Sequence, residues 1–176
     1  MHTCSRCGDN YKDTYTCLVV VNSSNTNYGT VLGGKTYDKN ATATLVPVPA
    51  TGCEFVKWSD GSTANPRIFT VTESKSYTAE FKLKTYTVTF KNENGSLYKT
   101  ISATHGSTIE IPTAPEKNNT AEFKYTFDGW YTDGGSKLYT STKITDNITY
   151  TARFSSEVQK YTIQWYGYDN SIIHTS

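Results

Sequence analysis

Four cysteines, three histidines and a scatter of carboxylates are the residues here that could bind a metal or attack a substrate. Cys4-x-x-Cys7 is half of a zinc ribbon, and a structural zinc takes four ligands, usually as two such pairs. His2, Cys17 and Cys53 are the other candidates, and none makes a second close pair. The spacing therefore predicts no metal and no cofactor. It leaves Cys4 and Cys7 as a disulfide or as free thiols. His105 precedes Gly106 in what reads as a turn, and neither it nor His2 nor His174 lies near a Ser or Cys in a nucleophile motif. No Gly-rich loop leads into a helix, so there is no phosphate cradle. Asp60 and Asp133 stand at matching places in Asp-Gly pairs, a turn chemistry rather than a general base. No catalytic residue is predicted.

Those matching places belong to an internal repeat. Tyr86-Thr87-Val88-Thr89-Phe90 returns as Tyr161-Thr162-Ile163-Gln164-Trp165, an offset of 75 residues (161 minus 86) that continues without a gap from Ser96 to Ser171. A weaker copy opens at Tyr15-Thr16-Cys17-Leu18-Val19. Ser76-Tyr77-Thr78-Ala79-Glu80-Phe81 matches Thr149-Tyr150-Thr151-Ala152-Arg153-Phe154. Phe55-Val56-Lys57-Trp58 before Asp60-Gly61 matches Phe127-Asp128-Gly129-Trp130 before Asp133-Gly134. The layout is then a Cys-x-x-Cys tail (1–14), one module (15–82), a second (86–154), and the start of a third (161–176), truncated before its Trp and closing strand. Lys82–Thr85 and Ser155–Lys160 read as linkers.

Strands must position these residues. Tyr86, Val88 and Phe90 alternate with Thr87, Thr89 and Lys91, the period of a half-buried strand. Asn94-Gly95 predicts a tight hairpin turn, because both residues tolerate positive φ. Ile109 and Ile111 alternate briefly before Pro112 and Pro115. Phe127, Trp130 and Phe154 in one module, with Phe55, Trp58 and Phe81 in the other, read as core aromatics. The alternative is that Trp58 and Trp130 form an exposed sugar-stacking platform. Cys17 aligns with core-facing Val88 and Cys53 with Tyr125, so both should point inward. A Cys17–Cys53 bridge, closing 36 residues (53 minus 17), would be worth roughly 3–4 kcal/mol, and two buried free thiols are its rival.

Composition agrees with strands. Aromatic residues make up 14% of the 176, with 14 Tyr, 7 Phe and a single Met. Lys and Arg number 17 against 16 Asp and Glu, a net +1 with no basic stripe, which argues against nucleic acid. No run approaches the ~20 apolar residues of a membrane-spanning helix, so no direct membrane insertion is expected.

The strings Tyr86–Phe90, Tyr125–Tyr131 and Ile148–Phe154, in that order, resemble the Listeria–Bacteroides repeat, the B-repeat of internalin B-type surface proteins. Module one resembles a divergent form, through Gly33-Gly34, Gly52–Gly61, Asn65-Pro66-Arg67 and Thr78–Phe81. The resemblance implies a mainly β fold, a variant of the α+β β-grasp. One departure stands out, because a β-grasp carries a helix and Pro115–Glu122 can hold one turn at most. It also implies a non-catalytic, monomeric repeat region of a bacterial cell-surface or secreted protein, lying in the cell wall or outside the cell. Such a region would act as a spacer, and adhesion to a host glycan or protein could ride on the same surface. The alternative is a carbohydrate-binding module of an exported enzyme.

Overall fold

The computed structural model describes residues 2–3, 10–11 and 15–175, with side chains described for 15–173. Cys4 and Cys7 lie outside the described residues, so the choice between disulfide and thiols there is untouched. In the tail, β1 (His2–Thr3) pairs antiparallel with β2 (Asn10–Tyr11).

Module one holds β3 (Thr16–Ser23), β4 (Gly29–Leu32), β5 (Lys35–Asp38), β6 (Thr42–Pro49), β7 (Cys53–Trp58), β8 (Arg67–Thr70) and β9 (Lys75–Leu83). Module two holds β10 (Thr85–Lys91), β11 (Leu97–Thr104), β12 (Phe123–Tyr131) and β13 (Ile148–Val158). A hairpin follows, β14 (Gln164–Tyr166) and β15 (Ile172–Thr175). Strands are the only regular elements among the described residues, so the fold is mainly β. The chain divides into two compact units, Met1–Thr85 with Thr104–Gly106 and Tyr86–Ala103 with Ser107–Ser176.

The same sheet is built twice. Module two has the order β11-β10-β13-β12 and module one the order β5-β3-β9-β7. In each, the first and last strands are central neighbours and run parallel: Val88 pairs with Ile148 and Phe90 with Tyr150, as Val19 pairs with Lys75 and Val21 with Tyr77. The strand carrying the Trp pairs antiparallel with the last one. Module one adds a three-stranded sheet, β4-β6-β8. Pro47 and Pro49 fall where β6 pairs only with β4, since β8 pairs with Thr42–Leu45, so the missing N–H groups interrupt no central ladder.

Sequence spacing explains a shared irregularity. Side chains alternate along a strand, so residues three apart, such as Phe127 and Trp130, would face opposite sides. Register shifts between Phe127 and Gly129, and between Phe55 and Lys57, insert one extra residue and return the Trp to the face of the Phe. The rings then meet at 5.6 Å in module two and 5.4 Å in module one.

Each sheet covers its own core. Cys17, Val19, Ala43, Leu45, Trp58, Val71, Tyr77, Ala79 and Phe81 form one cluster. Val88, Phe90, Ala103, Trp130, Leu138, Ile144, Tyr150 and Ala152 form the other. Phe55 packs on the first, and Phe127 and Phe154 on the second, each half-buried.

Two expectations are corrected. The stretches read as linkers are largely strand: β9 runs to Leu83 and β10 starts at Thr85, while β13 continues to Val158 opposite Phe123. The 105–122 connection contains no strand at Ile109 and Ile111; those residues lie against the core as extended chain, with no helix among them. The Asn94-Gly95 turn is present. Only Gly95 in it has positive φ (84°), and Asn94 accepts from the Ser96 N–H at 3.0 Å and hydroxyl at 2.7 Å.

That turn occurs four times among the described residues. Asn92 N–H donates to Ser96 O and Gly95 N–H to Asn92 O; Trp58/Ser62 with Gly61, Thr132/Ser136 with Gly135, and Gly167/Ser171 with Asn170 repeat the pattern. The fourth residue is left-handed each time, at φ of 86°, 84°, 82° and 60° for Gly61, Gly95, Gly135 and Asn170. A type I turn closed by one left-handed residue is the usual three-residue hairpin loop. A Cβ at Gly95 would meet nothing within 4 Å, so the requirement is conformational alone. Gly95→Val should therefore destabilise module two by about 1–2 kcal/mol in urea unfolding, whereas Gly95→Asn, imitating Asn170, should cost well under half of that.

Candidate functional site

Trp58 and Trp130 are fully buried, at 0% and 1% exposure, and cannot serve as a sugar-stacking platform. Each lies across the strand ladder from an alanine: Trp58 opposite Ala79, Trp130 opposite Ala152. A small residue leaves room for the indole, which then meets Tyr77 at 6.4 Å in one module and Phe90 at 4.9 Å in the other. Each indole N–H still needs an acceptor, because a buried unsatisfied donor costs about 1–3 kcal/mol. Trp58 Nε1 donates to Ala64 O at 2.8 Å and Trp130 Nε1 to Pro112 O at 3.1 Å. The tryptophans thus fasten irregular chain to the sheet. Tyr98 adds to this in module two, its hydroxyl donating to Thr113 O at 3.2 Å.

Cys17 and Cys53 are both buried, as their alignment implied, and both are free. The register explains why they are not bridged. Cys17 stands two residues before Val19, which pairs with Lys75, whereas Cys53 pairs with Leu83 at the other end of β9. Eight residues of β9 alone span about 26 Å, against the 4.4–6.8 Å between Cα atoms that a disulfide needs. The bridge is set aside, and the two buried thiols remain.

Asp133 lies exposed in its turn. Asp60 has acquired a partner that spacing did not reveal. Arg67 reaches it with two nitrogens, at 2.7 and 2.6 Å, and spreads its guanidinium 4.6 Å from the Tyr77 ring. The paired guanidinium holds the Asp60 carboxyl below its usual range, and Arg67 is raised in turn. His105 sits in a turn before Gly106, and the side chains of His2 and His174 are not among those described. Among the described residues, no three His, Cys, Asp or Glu side chains gather as metal ligands.

One polar cluster escaped sequence reading. Asp128 accepts from the Tyr131 hydroxyl at 2.7 Å and from Lys137 Nζ at 3.2 Å, and Arg153 lies over the Tyr131 ring at 4.7 Å. The bulge explains its position, since Asp128 is the inserted residue. A carboxylate, phenol and amine together could suggest proton transfer. The directions of their pKa shifts argue otherwise. The Tyr131 and Lys137 hydrogen bonds lower Asp128, while the bond to Asp128 raises both Tyr131 and Lys137. A nucleophile or base requires the amine or phenol to be lowered towards neutrality. This cluster makes Asp128 and Lys137 more firmly charged and Tyr131 more firmly neutral, as in a surface ion pair.

A shallow groove of about 460 Å³ in module two runs between Asn92, Tyr98, Pro115, Lys117 and Phe154. Its polar groups bind one another: Lys117 pairs with Glu93 and lies 4.1 Å from the Tyr125 ring, and Asn92 Nδ2 donates to Ser96 at 2.8 Å.

These features define a class: small mixed-sheet modules in tandem, each closed over an aromatic core, with their polar groups spent on holding surface segments. Residues 19–85 match the divergent InlB B-repeat domain, and residues 86–153 match the Listeria-Bacteroides repeat domain. The chain belongs to the B-repeat families and carries one domain of each kind in succession. It is also 33% identical, over 100 residues and 54% of its length, to a protein of Evansella cellulosilytica named "Putative membrane protein". The match covers 14% of that relative, so the chain spans a small part of its length.

Two outcomes follow. Ala152→Leu, which fills the space of the Trp130 indole, should destabilise module two by about 1–3 kcal/mol, while Thr126→Leu on the exposed face should change it by no more than about 0.5 kcal/mol; urea unfolding measures both. The Asp60–Arg67 pair gives a pH signature. Because the folded carboxyl is depressed, its contribution is complete above the unfolded value and drains away as pH falls through the folded one, below about 4. Asp60→Asn should flatten that acid limb of module-one stability.

Proposed function

We propose that this chain is a tension-bearing spacer, a non-catalytic repeat region of a bacterial surface or exported protein. One observation carries the reading. In both modules the first and last strands are adjacent, central and parallel. The point where chain tension enters a module and the point where it leaves therefore lie at opposite ends of one hydrogen-bonded pair. Tension along the chain shears the pair, loading all of its bonds together instead of opening them in turn. The B-repeat membership and the Evansella relative support a place at the cell envelope. Such a region resists unfolding while it holds other parts of a protein away from the surface.

Single-molecule pulling tests this. Stretched through its ends, the chain should show a separate force peak for each module, with roughly 200 Å of contour released each time. Attachment at Thr87 and Asn147 loads the neighbouring starts of β10 and β13, where Thr87 N–H donates to Asn147 Oδ1 at 2.8 Å. That geometry unzips the same ladder, and should yield at a much lower force. Equal, low forces in the two geometries would sink the proposal.

A further inference from the structure

Module one encloses two nucleophilic groups that its fold does not require. The thiols of Cys17 and Cys53 are free, at 7% and 5% exposure. Module two has Val88 and Tyr125 at the aligned positions, so the shared sheet has no need of sulfur there. A buried thiol is inert, because exchange requires the thiolate to reach the sulfur it attacks. The fold keeps both cysteines silent.

It also keeps them apart. In the order β5-β3-β9-β7 they lie on the two strands that flank β9. Cys17, near the start of β3, is beside the start of β9, and Cys53, at the start of β7, is opposite Leu83 at its end. Their separation along β9 exceeds about 26 Å, and two strand spacings add about 10 Å across the sheet. A bridge would draw the two Cα atoms to within about 7 Å. No sheet of this register can contain one. In the opened chain that constraint is gone, since 36 residues (53 minus 17) of flexible chain let the thiols meet.

We propose that Cys17 and Cys53 form a covalent latch on module one, silent while it is folded and able to hold it open once a low-molecular-weight disulfide reaches the thiols. The Cys17 thiolate attacks the incoming disulfide, which leaves a mixed disulfide and releases one thiolate. Cys53 then attacks Cys17 Sγ, closing the bridge and releasing the second. The two cysteines lose two electrons between them, the incoming disulfide is reduced to two thiols, and the cysteine protons pass to the released thiolates. The bridged chain cannot rebuild the β3-β9-β7 register until a reductant opens it. In a spacer the latch would keep a stretched module from closing again, but the chemistry needs no tension and stands apart from that reading.

The test uses a chain with Cys4→Ser and Cys7→Ser, in which Cys17 and Cys53 are the only thiols. In buffer with oxidised glutathione both thiols should survive, as counted by maleimide labelling after denaturation. In urea with oxidised glutathione, mass spectrometry of a digest should find Cys17 joined to Cys53. After the urea is removed, hydrogen exchange should show β10 and β13 protected but β3 and β9 open. Dithiothreitol should then restore protection to β3 and β9 in the same sample, which separates a latched module from one that has lost the ability to fold. The proposal is overturned by thiols consumed in the folded chain as fast as in urea, or by glutathione adducts in urea without a Cys17–Cys53 bridge. It is equally overturned by a bridged chain that regains protection in β3 and β9 before reduction, or by an opening that dithiothreitol does not reverse.

Discussion

An indole set against an alanine is the contact on which each module depends. Trp58 over Ala79 and Trp130 over Ala152 bring together the largest and smallest apolar side chains at one rung of the ladder. The rung does three things. It removes most of an indole's ~150–250 Å² from water. It requires the bulge, because the Phe three residues earlier must share the same face. Its N–H then captures a carbonyl from outside the sheet. In a module this small, one core rarely supplies more than about 3–5 kcal/mol, so the rung is a large part of what keeps the fold closed.

The sheet order follows from how the last strand reaches that position. It must lie between the first strand and the Trp-bearing strand, parallel to one and antiparallel to the other. A parallel neighbour needs a long crossover. In module two the 105–122 connection provides part of it without a helix. An extended stretch of this length is uncommon in a compact domain unless something ties it down. Here Ile109 and Ile111 pack on the core, Pro112 accepts from Trp130, and Thr113 is held by Tyr98. In module one the crossover is occupied by the β4-β6-β8 sheet. The parallel central pair, which would carry tension, is common to both.

Much of this was legible in the residues, for reasons of periodicity. Tyr-Thr-Val-Thr-Phe can be little but a half-buried strand, and the recurring Phe-x-x-Trp and Tyr-Thr-Ala-x-Phe strings marked out two cores and placed their aromatics. What escaped were contacts that periodicity does not encode. Asp60 meets Arg67 only because a loop turns back on itself, and Asp128 reaches Tyr131 and Lys137 only because it is the inserted residue of a bulge. Cys17 and Cys53 were rightly placed inside, but a parallel pair puts the starts of β3 and β9 side by side and so sends the cysteines to opposite ends of the sheet. Facing inward is a local property. Facing each other is a matter of register, which single-strand patterns do not contain.

The differences between the modules show which constraints are physical and which are historical. The two indoles use different acceptors: Ala64, in the loop directly after the Trp strand, and Pro112, in the segment before it. The chemistry demands that a buried N–H be satisfied, and any carbonyl brought within reach will do. A repeat can therefore replace its connections freely, lengthening one into a second sheet or leaving another as extended chain, provided some carbonyl arrives over the indole. The Trp–Ala rung has no such freedom, since enlarging the alanine removes the room and shrinking the indole leaves a cavity. The ion pairs differ between the modules as the connections do, Asp60–Arg67 in one and Asp128–Lys137 in the other at non-equivalent positions, while the closing strand keeps its alternation.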